Sequence, residues 1–461
     1  MHMTRKFFLT RAGALGAVAA LTLTACGSQT AQNAQTSPSA STSASASAAP
    51  ITEGKGAASR VAITYDGGVL VYDAKDMKLL ADIPKEGFLR LSDAGDNRHL
   101  VVADGNSYTF LDTGVWSVAH GDHSHYYTTS PSLSSLSLAA DHTGHVIKNN
   151  GEVAAFADGT GSFAVYDPAK LTQDKRTASS LETTTVTLPQ PHHGFAIPLP
   201  NDQYLVTVGD SKTRTGAAVV DAQGKTVLES PACPGIHGEA IAKDGAISIG
   251  CTDGAMVYKD GKFTKITNPE DPYSRSGNQA GKADSQYVLA DYKTDKDATL
   301  ERPEKFSIID TVAATRTVYS LPSGVSYTFR SLARGPQGEA LLLTTDGKLR
   351  VFDPATGTEL GSVQLMEAWT ESETWQDERP ALWVDGKTAY VTDPATKKLI
   401  AVSLSNPAAP KELMSVELPK TPNEILGVSS SNAAPVEAEA HGAASSSASA
   451  DAHESGESHS H

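Results

Sequence analysis

Cysteine is scarce in this chain: Cys26, Cys233 and Cys251 are the only three in 461 residues. With Cys26 set aside, one pair remains, so at most one internal disulfide can form. Positive charge is also short. Lys and Arg number 38 against 53 Asp and Glu, a formal net charge of −15. That balance argues against nucleic acid and against an anionic membrane surface as partners. It suits a soluble exported protein that attracts cations. Long apolar runs are missing as well, since Ala12 to Leu23 is too short to span a bilayer. Helical periodicity is nearly absent. So are a Gly-x-Ser-x-Gly elbow and any paired carboxylates in a catalytic setting.

The termini are present but cannot fold. Arg5, Lys6 and Arg11 precede the apolar Ala12–Leu23 stretch, which ends in Leu23-Thr24-Ala25-Cys26-Gly27. Residues 1–25 therefore read as a lipoprotein signal peptide, with Cys26 the lipidated first residue of the mature protein. The alternative is an ordinary signal peptide cleaved nearby. The expectation is an exported protein, lipid-anchored on the outer face of the cell membrane or periplasmic. Residues 26–59 are almost all Ser, Ala, Thr and Gln and read as a flexible tether. Residues 429–461 form a second such tail, with acids added and with His441, His453, His459 and His461 scattered among them. That tail reads as a weak metal-collecting arm.

Between the tails, residues 60–428 show short alternating strands divided by Asp-Gly, Asn-Gly and Pro turns. One unit recurs, marked by an apolar strand ending in Asp. Copies are Val71-Tyr72-Asp73, Phe110-Leu111-Asp112, Val165-Tyr166-Asp167, Val219-Val220-Asp221, Ile308-Ile309-Asp310 and Val351-Phe352-Asp353. Met256-Val257-Tyr258 and Leu399-Ile400-Ala401-Val402 are looser copies. The spacing is roughly 45 residues, enough for four strands each. The fold class is all-β, an eight-bladed β-propeller with seven blades as the alternative. The first copy lacks its innermost strand, and Asn423-Glu424-Ile425-Leu426-Gly427-Val428 is placed to supply it, which would remove an open sheet edge. The Asp-Gly aspartates, Asp158 among them, read as ordinary hairpin-turn residues.

Histidines carry the chemistry. His145, His193 and His237 occupy one equivalent point in three successive copies, the entry to the innermost strand. Three neutral imidazoles aimed into one channel make a Zn2+ site. Glu239, two residues past His237, is a further ligand, an outer-shell partner or, in a hydrolase, a general base. A second cluster lies in His120-Gly121-Asp122-His123-Ser124-His125-Tyr126-Tyr127, an insertion after the third strand of copy two. His120, Asp122, His123 and His125 are four ligand types within six residues, and the reading is a metal site. Blade geometry puts the two clusters at opposite ends of the channel. Either there are two sites or the insertion folds across a face. His192 points away from the channel, His142 could reach its mouth, and His99 reads as structural. Cys233 and Cys251 flank the hairpin after His237 and are expected to pair in an oxidising compartment, at a gain of about 3 kcal/mol. The alternative is a zinc site of both thiols with His237.

The His-bearing segments resemble the AztD-type zinc metallochaperones, exported propellers that accompany ABC zinc importers. The resemblance rests on the His120–Tyr127 segment, on His145-Val146-Ile147 with Asp158-Gly159-Thr160-Gly161, on Pro191-His192-His193-Gly194-Phe195-Ala196-Ile197-Pro198 and on Cys233-Pro234-Gly235-Ile236-His237-Gly238-Glu239-Ala240. Ala389-Tyr390-Val391-Thr392-Asp393-Pro394 adds to it. It implies zinc binding on the propeller and delivery to the importer's solute-binding protein; a monomer that is not an enzyme is expected. The His-containing tail and the lipid anchor depart from what every member would carry. Two other classes compete: a zinc hydrolase on a propeller scaffold, and a zinc buffer or interaction propeller without transfer.

Overall fold

The computed structural model describes residues 49–432. Cys26, the stretch read as a signal peptide, most of the stretch read as a tether and the tail histidines lie outside the described residues. Strands dominate, and among the described residues the helical pieces are three short 3-10 turns. Eight antiparallel sheets of four strands account for the repeat. The strand that ends in Asp is the third of its sheet each time, as in Gly68–Asp73, Ser107–Asp112 and Lys305–Asp310.

Apolar side chains hold the sheets together in sequence. Each of eight buried clusters bridges two neighbouring sheets. Phe156, Phe163, Tyr204 and Val206 join the third and fourth. Phe195, Ile197, Ile247 and Ile249 join the fourth and fifth. The circuit closes where Val61 and Ile63 meet Leu399 and Tyr390, the first sheet against the last. This is a β-propeller. Its closure comes from the C-terminal strand Ile425–Ser429, which pairs with Ser59–Tyr65 as the innermost strand of the first sheet. The pairing ties together residues some 370 positions apart, with Ser59 Oγ donating to Ser429 Oγ at 2.9 Å.

Two segments depart from the simple repeat. Val115–His120 and His123–Thr128 form a hairpin outside the sheets, and Thr52–Gly54 adds a third strand to it. Thr52–Gly54 thus places a strand inside the stretch read as tether. Ser/Ala composition ends near Ala49, and Thr52 is free to pair. The hairpin is anchored by its base. Trp116 stacks on Tyr127 at 5.4 Å, and the Arg98 guanidinium lies over Trp116 at 4.0 Å. Arg98 is itself buried and forked onto Asp112, at 2.9 and 2.7 Å.

Candidate metal centre

Three adjacent sheets deliver the channel histidines. His145 lies in Thr143–Asn149, and His193 and His237 come just before Ala196–Leu199 and Glu239–Ile241. All three are innermost strands, so their entries share one end of the channel. Glycine makes the approach fit. A Cβ on Gly144 would meet Asp158 Oδ1 at 2.3 Å, and one on Gly194 would meet Thr207 Oγ1 at 2.1 Å. Gly238 has φ +75°, and a Cβ there would strike the Gly277 carbonyl at 2.5 Å.

The ligand atoms of His145, His193 and His237 all lie within 4.8 Å of one another. Each Nδ1 is engaged from behind. His145 Nδ1 donates to Glu239 Oε1 at 3.0 Å, His193 Nδ1 to Asp158 Oδ2 at 2.6 Å, and His237 Nδ1 to the Gly277 carbonyl at 2.6 Å. Carboxylate and carbonyl oxygens only accept, so the proton of each neutral ring sits on Nδ1. Every Nε2 then turns a lone pair inward. His193 and His237 bring theirs to 3.1 Å of each other. Two lone pairs at that distance repel unless a cation stands between them. Zn–N bonds of about 2.0–2.1 Å in a tetrahedron would set neighbouring nitrogens roughly 3.4 Å apart, close to the separation His193 and His237 already adopt.

Electrostatics divides the three. Burial pushes His237 well below its usual 6.5, and the nearby His145 adds to the drop. Burial also works against a charged His145, but the Glu239 carboxylate, by charge and hydrogen bond, raises it above 6.5. Glu239 Oε2 is buried with no hydrogen-bond partner. Glu239 stands behind His145 and orients it.

Asp158 is a correction to the turn reading. Its side chain holds His193 through Oδ2 and takes the Gly194 N–H through Oδ1 at 3.3 Å. Seven other Asp-Gly pairs share its pattern, so spacing alone could not single it out. The only available signal was its place in the segment that carries the family resemblance. The Gly277 carbonyl has no sequence signature at all.

The insertion makes a separate cluster. His120 and His123 face each other across the two-residue turn, and with His125 their ligand atoms lie within 4.8 Å. Asp122 is outside that group. It is fully exposed in the turn, where its Oδ1 faces His123 Nδ1 at 3.2 Å. Glu53, which sequence reasoning missed, accepts from His125 Nδ1 at 2.7 Å. The hairpin packs on Arg98, in the turn after an innermost strand, and so stays at the opposite end from His145, His193 and His237.

The remaining histidines are placed plainly. His192 is buried, held by Gln190 O and by Thr207 Oγ1 at 2.9 Å. His99 is buried between Asp96 and Thr177. His142 pairs with Asp141 on the surface and does not join the channel group. Cys233 and Cys251 form a disulfide with a Cα–Cα distance of 5.0 Å, which removes both thiols from any zinc site.

Fold and site together define a class: a propeller with a three-histidine metal-ligand cluster in its channel. Within it, the chain is similar to AztD. The curated zinc chaperone AztD of Citrobacter koseri is 27% identical over 350 residues, 73% of this chain and 79% of that protein. Two solved structures of Citrobacter koseri AztD, one of them apo, match at TM-scores of 0.69 and 0.68. Each is 24% identical and covers 81% of this chain and 98% of its own, which speaks for the fold. No family model matches.

Proposed function

We propose that this protein is an extracytoplasmic zinc chaperone that loads Zn2+ onto His145, His193 and His237 and passes it to the solute-binding protein of an ABC zinc importer. The observation that carries the reading is the inward convergence of three Nε2 lone pairs, each ring fixed from behind at Nδ1. Such a site is preformed, so little ordering is needed on binding. Three protein ligands leave one coordination position for an incoming ligand. A partner side chain can take that position before the donor rings let go. The similarity to a zinc chaperone supports the same role and no catalytic one. The exported location and an anchor at Cys26 complete the reading, and both rest on the N-terminal sequence.

Direct transfer has a kinetic signature. Stopped-flow mixing of zinc-loaded protein with apo acceptor should give a rate that rises with acceptor concentration and exceeds spontaneous zinc release into excess chelator. A transfer rate that never exceeds release would make the protein a zinc buffer, with the site intact and the chaperone reading lost.

A further inference from the structure

A cationic patch lies on the innermost strands of sheets that bear none of the three histidines. Arg90 opens the innermost strand Arg90–Asp93, and Arg330 lies in the innermost strand Tyr327–Arg334. Both turn toward one carboxylate oxygen. Arg90 Nε is 2.5 Å and Arg330 Nη2 is 3.2 Å from Glu424 Oε1. The other oxygen, Glu424 Oε2, is taken by the Leu91 N–H at 2.9 Å. Two guanidinium groups therefore share one carboxylate and leave one positive charge over. Arg379 does not change the count, because it pairs with Glu371 at 3.5 Å.

Arg330 is the unusual member. Its side chain is only 6% exposed; Nη1 donates to Asn423 Oδ1, Nη2 faces Glu424 Oε1 at 3.2 Å without hydrogen-bond alignment, and Nε has no partner. A buried guanidinium N–H without an acceptor, as at Nε, is costly, since its desolvation is not compensated. Burial, helped by Arg90 and Arg379 and opposed by Glu424, brings Arg330 down to about 10. The group stays charged at neutral pH. Beside it is a cavity of about 240 Å³ lined by Arg90, Asn278, Phe329, Arg330 and Glu424. The planar fork of a guanidinium matches a carboxylate by two parallel hydrogen bonds. One surplus positive charge calls for one negative charge.

We infer that this cavity is a binding site for a small monocarboxylate, held by Arg330 and Arg90 beside the channel histidines. Asn278, whose amide donates to Asp291 Oδ2 at 3.3 Å, also lines the cavity, next to Gly277, whose carbonyl orients His237. The site also bears on the cargo, a consequence that rests on the zinc reading. The strand that Arg90 opens packs against Thr143–Asn149, the strand of His145, so its charge opposes a cation there. A bound carboxylate offsets that charge, so anion and zinc should each tighten the other's binding.

The test of the anion site uses the apo full-length protein and sodium acetate, with sodium chloride at matched ionic strength as control. Acetate should raise the unfolding temperature saturably, and Arg330→Gln should abolish the rise. Arg90→Gln, a half-exposed position that leaves the core untouched, should weaken acetate binding at least tenfold and covers the case in which Arg330→Gln fails to fold. No saturable response in wild type, or the same response in a folded Arg330→Gln or in Arg90→Gln, overturns the site. A parallel titration of zinc with and without acetate reads the coupling alone. Unchanged zinc affinity beside normal acetate binding would remove the coupling and leave the anion site standing.

Discussion

The channel and the hairpin each bring three histidines within metal-ligand reach, yet they are built on different foundations. In the channel, three separate sheets each contribute one ring, and every ring is held at Nδ1 by Glu239, Asp158 or the Gly277 carbonyl. In the hairpin, one exposed turn supplies all three. His123 leans on fully exposed Asp122, and His125 on Glu53 from the short added strand Thr52–Gly54. Ligand count is the same; support is not. Rings locked before the ion arrives lose little freedom on binding, while rings on a solvated turn must be ordered by it. The channel should therefore bind tightly and the hairpin weakly, whatever their shared composition.

Removing a ring should break the comparison most sharply. His193→Ala is expected to cost the tight zinc phase on the order of 1,000-fold, beyond the ~10–100-fold typical of outer partners. His123→Ala should leave that phase unchanged. Competition against a chromophoric chelator measures both, and equal losses would erase the distinction drawn between the clusters.

The disulfide comes next. Replacing Cys233 and Cys251 together by Ser should lower unfolding stability by about 3 kcal/mol, read from denaturant curves. Hairpin zinc binding should not follow, because the pair sits in the sheet that carries His237.

Support residues sharpen the comparison further. Asp158→Ala and Glu239→Ala should each weaken channel binding by about 10–100-fold without removing a ligand. Glu53→Ala, the hairpin equivalent, should change the weak phase by less than about tenfold, since an exposed partner orients little. Isothermal titration at two zinc concentrations separates the phases.

Acidity gives the smallest effect. Zinc needs neutral rings. His237 is held well below 6.5 by burial and so offers little proton competition. His145 is raised above 6.5 by Glu239, so it is the ring that a proton takes first as pH falls. Channel affinity should drop about tenfold per pH unit once pH falls below the raised His145 value, one proton being displaced per ion. Glu239→Ala should move that drop to lower pH. In the apo protein the sign is opposite. A raised His145 favours the folded state at pH below the unfolded value near 6.5 and loses that contribution as pH rises through the folded value. A pH series of zinc titrations, with thermal unfolding of the apo form alongside, checks both directions.

Much of this was legible in the residues. The strand ending in Asp recurs because every third strand must leave its sheet through a turn that an Asp side chain closes, as Asp73 does by accepting from Lys75 N at 2.9 Å. The closing strand was legible because the first copy began one strand short. The placement of His145, His193 and His237 at one end of the channel followed from their shared position in the repeat. What supports them did not. Asp158 looks like every other turn aspartate, and a backbone carbonyl such as that of Gly277 is invisible in sequence. Glu53 hid in a stretch whose composition reads as tether, and its role depends on a strand pairing with residues some 70 positions away. Arg90 and Arg330 meet only because the ring closes, which brings Glu424 against both.

The most direct test of the channel assignment is anomalous diffraction at the zinc edge from crystals of the propeller grown with one equivalent of Zn2+. A single strong peak is expected about 2.0–2.1 Å from the Nε2 atoms of His145, His193 and His237. A peak confined to His120, His123 and His125, with none in the channel, would contradict that assignment.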